Sequence, residues 1–222
     1  MSIATLILGN SGTGKSTSLR NIDPKRTLLI QCINKPLPFR SADWKRRVQL
    51  KDEGSVFVTS SAQMIHRLMS QSPHDVVVID DFQAMMVDEL MSRSAEKGYE
   101  KFSDIGKNAW SIFTLAGQLA PHRRVYILAH TQSDDYGQVR MKTVGRMVDE
   151  KIVPESYFTI VLRTHVEAGT YSFSTQSNGS DCCKSPMQMF QDMLIPNDLA
   201  AVDAVVSEFY GLSQPDAPAS NT

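Results

Sequence analysis

Short apolar runs recur along the chain and alternate with amphipathic stretches. Ile3-Ala4-Thr5-Leu6-Ile7-Leu8 reads as a buried strand, and Thr17 to Ile22 as the first turns of a helix. Thr27 to Ile33 is a second strand, started by the Asp23-Pro24 turn, and Val56-Phe57-Val58-Thr59 is a short third. Ser61 caps a helix to about Ser70, with Met64, Ile65, Leu68 and Met69 at helical spacing. Val76-Val77-Val78-Ile79 is apolar at every position, the mark of a strand buried on both faces. Phe82 to Arg93 and Lys107 to Ala120 read as helices, the second stopped by Pro121, and Arg124 to Ala129 as another buried strand. Tyr157 to Arg163 is a strand, 167–170 a hairpin turn, and Tyr171 to Thr175 a half-exposed strand that alternates apolar and polar. Asp198 to Tyr210 is the final helix. The polar segments between them are 34–47, a mobile connection at 94–103, and 131–151, which turns helical around Met147. Strands alternating with helices imply an α/β fold with a mostly parallel sheet, antiparallel at its C-terminal edge. The expected organisation is a core over 1–195, a C-terminal helix over 196–212 and a tail over 213–222 that is disordered by composition.

Onto that frame falls one motif with its context complete. Gly9-Asn10-Ser11-Gly12-Thr13-Gly14-Lys15-Ser16 fits G-x-x-x-x-G-K-[ST], with a strand before it and a helix after it. The glycines let backbone N–H groups turn inward around phosphates, and the helix N-terminus adds its positive dipole end. Residues 9–17, ending at Thr17, are therefore the expected nucleotide cradle. Lys15 reaches the β- and γ-phosphates, and the Ser16 hydroxyl ligates Mg²⁺. Val76 to Asp81 is the apolar strand ending in an acid that completes such a site, with Asp80 holding Mg²⁺ through water. Two roles are open to Asp81, polarising the attacking water or capping the helix from Phe82. His130, at the end of a strand, is either a sensor facing the γ-phosphate or a plain strand-end residue. His66, His74, His122 and His165 have no acids or cysteines at metal-ligand spacing and read as surface residues.

Composition narrows the partners. The 222 residues suffice for one α/β domain, and a net charge of −1 provides no global attraction to nucleic acid. Any DNA contact must come from a local basic patch. No apolar run has the length of a membrane span, and the first strand begins two residues after Met1, which leaves no room for a signal peptide. Cys32, Cys182 and Cys183 form no C-x-x-C pair and read as reduced cytoplasmic thiols, the Cys182-Cys183 pair being either redox-active or incidental. A GTPase would need N-K-x-D, and Asn34-Lys35-Pro36-Leu37 lacks the acid. A kinase acting on a small molecule would need a basic clamp, for which Arg40, Lys45, Arg46 and Arg47 are candidates. An AAA+ protein would need a helical lid, and too little chain follows Phe190.

The order of these elements resembles the RecA-like ATPase core. With the segments 142–151, 158–164, 175–181 and 184–187, the chain is most similar to small phage-encoded RecA-like ATPases, the AAA-family ATP-binding proteins of single-strand annealing or recombinase type. The resemblance covers about 1–195 and implies ATP and Mg²⁺ as ligands, homo-oligomers, and a host-cell cytoplasmic location. It implies that 131–146 contacts single-stranded DNA, with Arg140, Lys142 and Arg146 on phosphates and Tyr136 stacking on a base. A solvated loop is the plainer reading of that segment. It also implies that Lys184, otherwise a surface lysine, reaches a neighbouring subunit's γ-phosphate. Two features depart from the family. The segment after the second strand, Gln31-Cys32-Ile33-Asn34-Lys35, holds no catalytic glutamate, so Asp81 takes that role or hydrolysis is slow. The N-terminal segment that many recombinases use to link subunits is also missing. The alternative function is a nucleotide-dependent scaffold or loader for a partner such as a single-strand-binding protein or a helicase.

Overall fold

The computed structural model describes residues 1–49, 52–145 and 148–212. The expectations for Arg146, for Met147 and for the tail 213–222 fall outside them.

The strands are β1 (Ile3–Leu8), β2 (Thr27–Gln31), β3 (Arg46–Arg47), β4 (Val56–Val58), β5 (Val76–Asp80), β6 (Arg124–Ala129), β7 (Thr131–Ser133), β8 (Val139–Met141), β9 (Ile160–Glu167), β10 (Thr170–Ser174) and β11 (Leu194–Pro196). The α-helices are α1 (Ala62–Gln71), α2 (Gln83–Ser92), α3 (Glu100–Ala116) and α4 (Leu199–Phe209). The main sheet runs β11-β10-β9-β1-β6-β5-β2-β4-β3. From β9 to β3 every pairing is parallel, while β9–β10 and β10–β11 are antiparallel. The fold is therefore α/β with a mostly parallel central sheet.

Strand periodicity explains why the central strands are apolar throughout. Leu6, Leu28, Ile30, Val77, Ile79, Val125 and Ile127 pack on one side of the sheet with α1, α2 and α3. Their sequence neighbours Ile7, Leu29, Val78, Tyr126 and Leu128 pack on the other side with Leu19 and the α4 residues Leu199, Val202 and Val206. A side-chain period of two sends alternate residues to two covered faces, so neither set can be polar. The C-terminal helix thus shares the core of the preceding chain.

Several elements differ from the expectations, and the short strands β3 and β11 are not among those expected. The segment after the glycine loop is a 3-10 helix, Ser16–Asn21, that ends with Ile22 extended. Pro24 disfavours the helical region at Asp23, so the turn cannot propagate. Helix α3 runs Glu100–Ala116 and not Lys107 to Ala120: it starts inside the mobile connection expected at 94–103 and is capped at Gly117, before Pro121. Its buried stripe Ile105, Ala109, Ile112, Phe113 and Ala116 starts late, so its first turn, where Phe102 stands alone among polar residues, shows no apolar period. That turn is tied by Arg93, which bridges Glu89, Glu96 and Asp104. Residues 131–141 form the β7–β8 hairpin, with the Asp134 side chain accepting from the N–H groups of Tyr136 and Gln138 at the turn. Strand β9 starts at Ile160, because Pro154 opens a 3-10 turn over Pro154–Tyr157.

Candidate functional site

The C-terminal ends of β1, β5 and β6 converge on one cleft of about 520 Å³. Ser11, Gly12, Gly14, Lys15, Ser16 and Thr17 of the glycine loop line it, with Arg20, Lys35, Pro36, Pro38, Asp81, His130, Tyr171 and Asn197 around them. The crevice outside the carboxyl ends of parallel strands is where open α/β sheets bind ligands.

The loop is shaped by close packing at two glycines. A Cβ on Gly9 would stand 1.8 Å from the Thr164 hydroxyl, which itself shares a hydrogen bond of 2.6 Å with Thr13. Gly14 has φ +98, and a Cβ there would meet Asn197 and Tyr171 at 3.0 Å. Only glycine adopts that backbone without strain. Lys15 is folded back, its Nζ donating to the carbonyls of Gly9 at 2.7 Å and Asn10 at 2.8 Å. Burial lowers the Lys15 ammonium to about 8, although Asp80 and Asp81 oppose the shift.

The two acids at the end of β5 are brought to the loop in different ways. Asp80 is fully buried and accepts a hydrogen bond of 2.8 Å from the Ser16 hydroxyl. Burial pushes its carboxyl up to about 6, with help from Asp81 and against the pull of Lys35, Ser16 and Lys15. A buried carboxylate beside a hydroxyl is an oxygen donor set suited to Mg²⁺. Among the described residues, no three His, Cys, Asp or Glu side chains gather to hold a metal by themselves. Asp81 sits at φ +58, a left-handed backbone that is uncommon outside glycine. Its side chain does not cap α2, which has no side-chain cap. One carboxylate oxygen of Asp81 is in direct contact with the Lys35 ammonium, and the other lies 3.5 Å from His130 Nε2. Burial would raise the Asp81 carboxyl, but His130 and Lys35 outweigh it and hold it below its ordinary value.

Strand β6, which His130 follows, lies between β1 and β5, the strand order that the expected sensor position requires. His130 links the cleft to the β7–β8 hairpin, since its carbonyl accepts from Lys142 N at 2.7 Å. The next residue, Thr131, donates to the Asn10 side chain of the glycine loop at 2.6 Å. At the hairpin tip Tyr136 is 93% exposed. Arg140 is half-exposed and pairs with Asp134 at 3.3 Å, so an acid already competes for it. Lys142 is exposed.

Lys184 does not line the cleft of its own chain. Its backbone exchanges two hydrogen bonds with Val161 beside β9, leaving the side chain partly exposed. Of the basic segment 34–47, Lys35 lines the cleft but Arg40, Lys45, Arg46 and Arg47 do not. Arg47 is buried over the Phe57 ring at 5.9 Å. His74, expected on the surface, is half-buried and shares a hydrogen bond of 2.9 Å with Ser72. The cysteines are free, and burial pushes the Cys182 thiol up to about 12. A thiol held protonated is a poor nucleophile, which favours the incidental reading of the Cys182-Cys183 pair.

Sequence reasoning missed Arg20, Lys35, Tyr171 and Asn197. Arg20 is part of the short helix and donates to the Asn197 carbonyl at 2.6 Å. Tyr171 and Asn197 arrive from the β9–β10 hairpin and the β11–α4 junction. Lys35 carried a signal, because it stands where an acid was sought. No protein-family model matches this chain, and no curated protein is significantly similar to it.

Proposed function

We propose that this chain is a RecA-like P-loop ATPase that binds Mg·ATP in the cleft at residues 9–17 and couples it to single-stranded DNA through 131–146. The observation that carries the reading is the hydrogen bond from Ser16 to Asp80. It brings together two motifs 64 residues apart in sequence, which supports reading them as one phosphate and Mg²⁺ site. The glycine-loop N–H groups and Lys15 hold the phosphates, and Tyr171 lines the same cleft beside Gly14. Mg²⁺, bound by Ser16 and through water by Asp80, would neutralise charge on the phosphates. His130 and Thr131 pass the state of the cleft to the hairpin that carries Tyr136, Arg140 and Lys142. The protein acts in the cytoplasm, that of the host if it is phage-encoded. Among the described residues, no helix is long and apolar enough to cross a membrane.

The test is ATP hydrolysis with and without single-stranded DNA, using Lys15→Ala as the blank. The reading expects hydrolysis that DNA stimulates and the blank lacks. Reversing the charges of Arg140, Lys142 and Arg146 should abolish stimulation and spare ATP binding. A second reading, a slow-hydrolysing nucleotide switch that loads or scaffolds a partner such as a single-strand-binding protein, is favoured by one observation. Both oxygens of Asp81 face a cation or an imidazole, so its carboxylate is not free to polarise water. ATP binding without DNA-stimulated turnover would select that reading.

A further inference from the structure

Lys35 is a cation at the mouth of a phosphate cleft, held there by a carboxylate. It follows β2, and the loop that bears it is stitched to the site at several points. Cys32 N donates to the Asp80 carbonyl at 3.0 Å, and the buried Gln31 amide donates to the Lys35 carbonyl at 3.3 Å. Arg46 donates to the Asn34 side chain at 2.8 Å. Pro36 and Pro38 of the same loop line the cleft and limit its backbone freedom. The Lys35 side chain is 39% exposed on the cleft side, while Asp81 beneath it is 4% exposed. The ammonium is therefore placed to exchange partners, from the acid under it to an anion arriving above it.

We infer that Lys35 discriminates a nucleoside triphosphate from a diphosphate, leaving Asp81 for the terminal phosphate when one is present. This rests on the nucleotide reading of the cleft. Lys15 is held by the loop carbonyls and reaches the β-phosphate that both nucleotides carry as well as the γ-phosphate, whereas Lys35 approaches from the Asp81–His130 side. The exchange has two consequences. It releases the Asp81 carboxylate to orient water only when a terminal phosphate is bound. It also transmits phosphate occupancy to the 34–46 loop, separately from the His130 route to the hairpin.

The experiment compares equilibrium binding of a non-hydrolysable ATP analogue and of ADP, each with Mg²⁺, to the wild-type chain, Lys35→Met, Lys35→Arg and Lys15→Ala. A lost charge-assisted contact to phosphate corresponds to about tenfold or more in affinity. Lys35→Met should lose about that factor for the triphosphate analogue, leave ADP affinity unchanged and so erase the preference. Lys35→Arg, which keeps the charge, should retain most of it. Equal weakening of both ligands by Lys35→Met, or no change in either, overturns the inference and leaves the nucleotide reading standing. A wild-type chain that binds neither nucleotide overturns both. Folding of each variant is checked by its thermal transition, and Lys35→Gln, which also removes the charge, carries the same expected and overturning outcomes if Lys35→Met does not fold.

Discussion

At the residue scale, Gly9 shows how the glycine loop depends on a neighbour far away in sequence. The first glycine of the motif has the Thr164 hydroxyl where a Cβ would be, at 1.8 Å. Gly9→Ala must displace Thr164 from its hydrogen bonds to Thr13 and to the Leu8 carbonyl. Overpacking of this kind costs about 1–3 kcal/mol. Adding Thr164→Ala should recover a large part of that cost, because the clash and its relief involve the same two residues. Urea denaturation of the two single variants and the double variant measures the coupling. Strict additivity would show that the contact does not shape the loop.

At the scale of elements, α4 is locked to the sheet by a buried polar cluster. Arg124 on β6 donates from Nε and Nη2 to the two oxygens of Asp203, each at 2.9 Å, and the Tyr126 hydroxyl donates to Asp203 at 2.7 Å. Burial and the adjacent carboxylate both raise the Tyr126 hydroxyl well above its ordinary range. Asp203→Ala leaves a guanidinium that is 3% exposed without its carboxylate, a loss of about 3–5 kcal/mol. Replacing Arg124 and Asp203 together by Met and Leu should be far milder, since burial of an unpaired charge is the larger part of the penalty. Chemical denaturation distinguishes the two, and equal losses would assign the effect to packing alone. The cluster matters for the site because α4 begins beside Asn197, which meets the Gly14 backbone.

At the scale of the whole molecule, pH and assembly are the accessible levers. Burial, together with Arg47 and Arg123, lowers His74 from its ordinary value of 6.5, despite Asp75. The unfolded chain then binds a proton that the folded chain resists, so stability is lost as pH falls below 6.5 toward the lowered value. Asp81 adds a second loss further down. Its folded value lies below 3.8, so its contribution is present above 3.8 and disappears as pH falls through the folded value. His74→Gln should remove the first loss and leave both the second and the opposite contribution of Asp80, whose value of about 6 makes acidification from there to 3.8 stabilising, as read by melting temperature against pH. For assembly, a Lys184 that acts in trans predicts complementation. A mixture of Lys184→Ala and Lys15→Ala chains should regain hydrolysis that neither has alone, because one intact site can be completed by the other chain's lysine. No recovery at any mixing ratio would remove Lys184 from that role.

The sequence by itself determined what is local or periodic. The central strands were legible from unbroken apolar runs, since burial on both faces leaves no polar position. The glycine loop at 9–16 was legible because its glycines, lysine and hydroxyl are adjacent in sequence between a strand and a helical turn, and the cleft they line opens at that same boundary. α3 and β9 were misplaced at their starts, because polar first turns and a proline turn carry no apolar period. Only the tertiary structure decided which distant residues share the cleft. Lys35, Tyr171 and Asn197 are brought there, and Thr164 to the back of the glycine loop, by strand order and by the return of the chain after β9, and their spacing in sequence encodes none of it. The pairing of Asp81 is the clearest instance. Its position after an apolar strand made it a candidate for orienting water or capping a helix, yet its role depends on a lysine 46 residues earlier and a histidine 49 residues later. Both reach it only because β2, β5 and β6 lie side by side, so that three loops open at the same edge of the sheet.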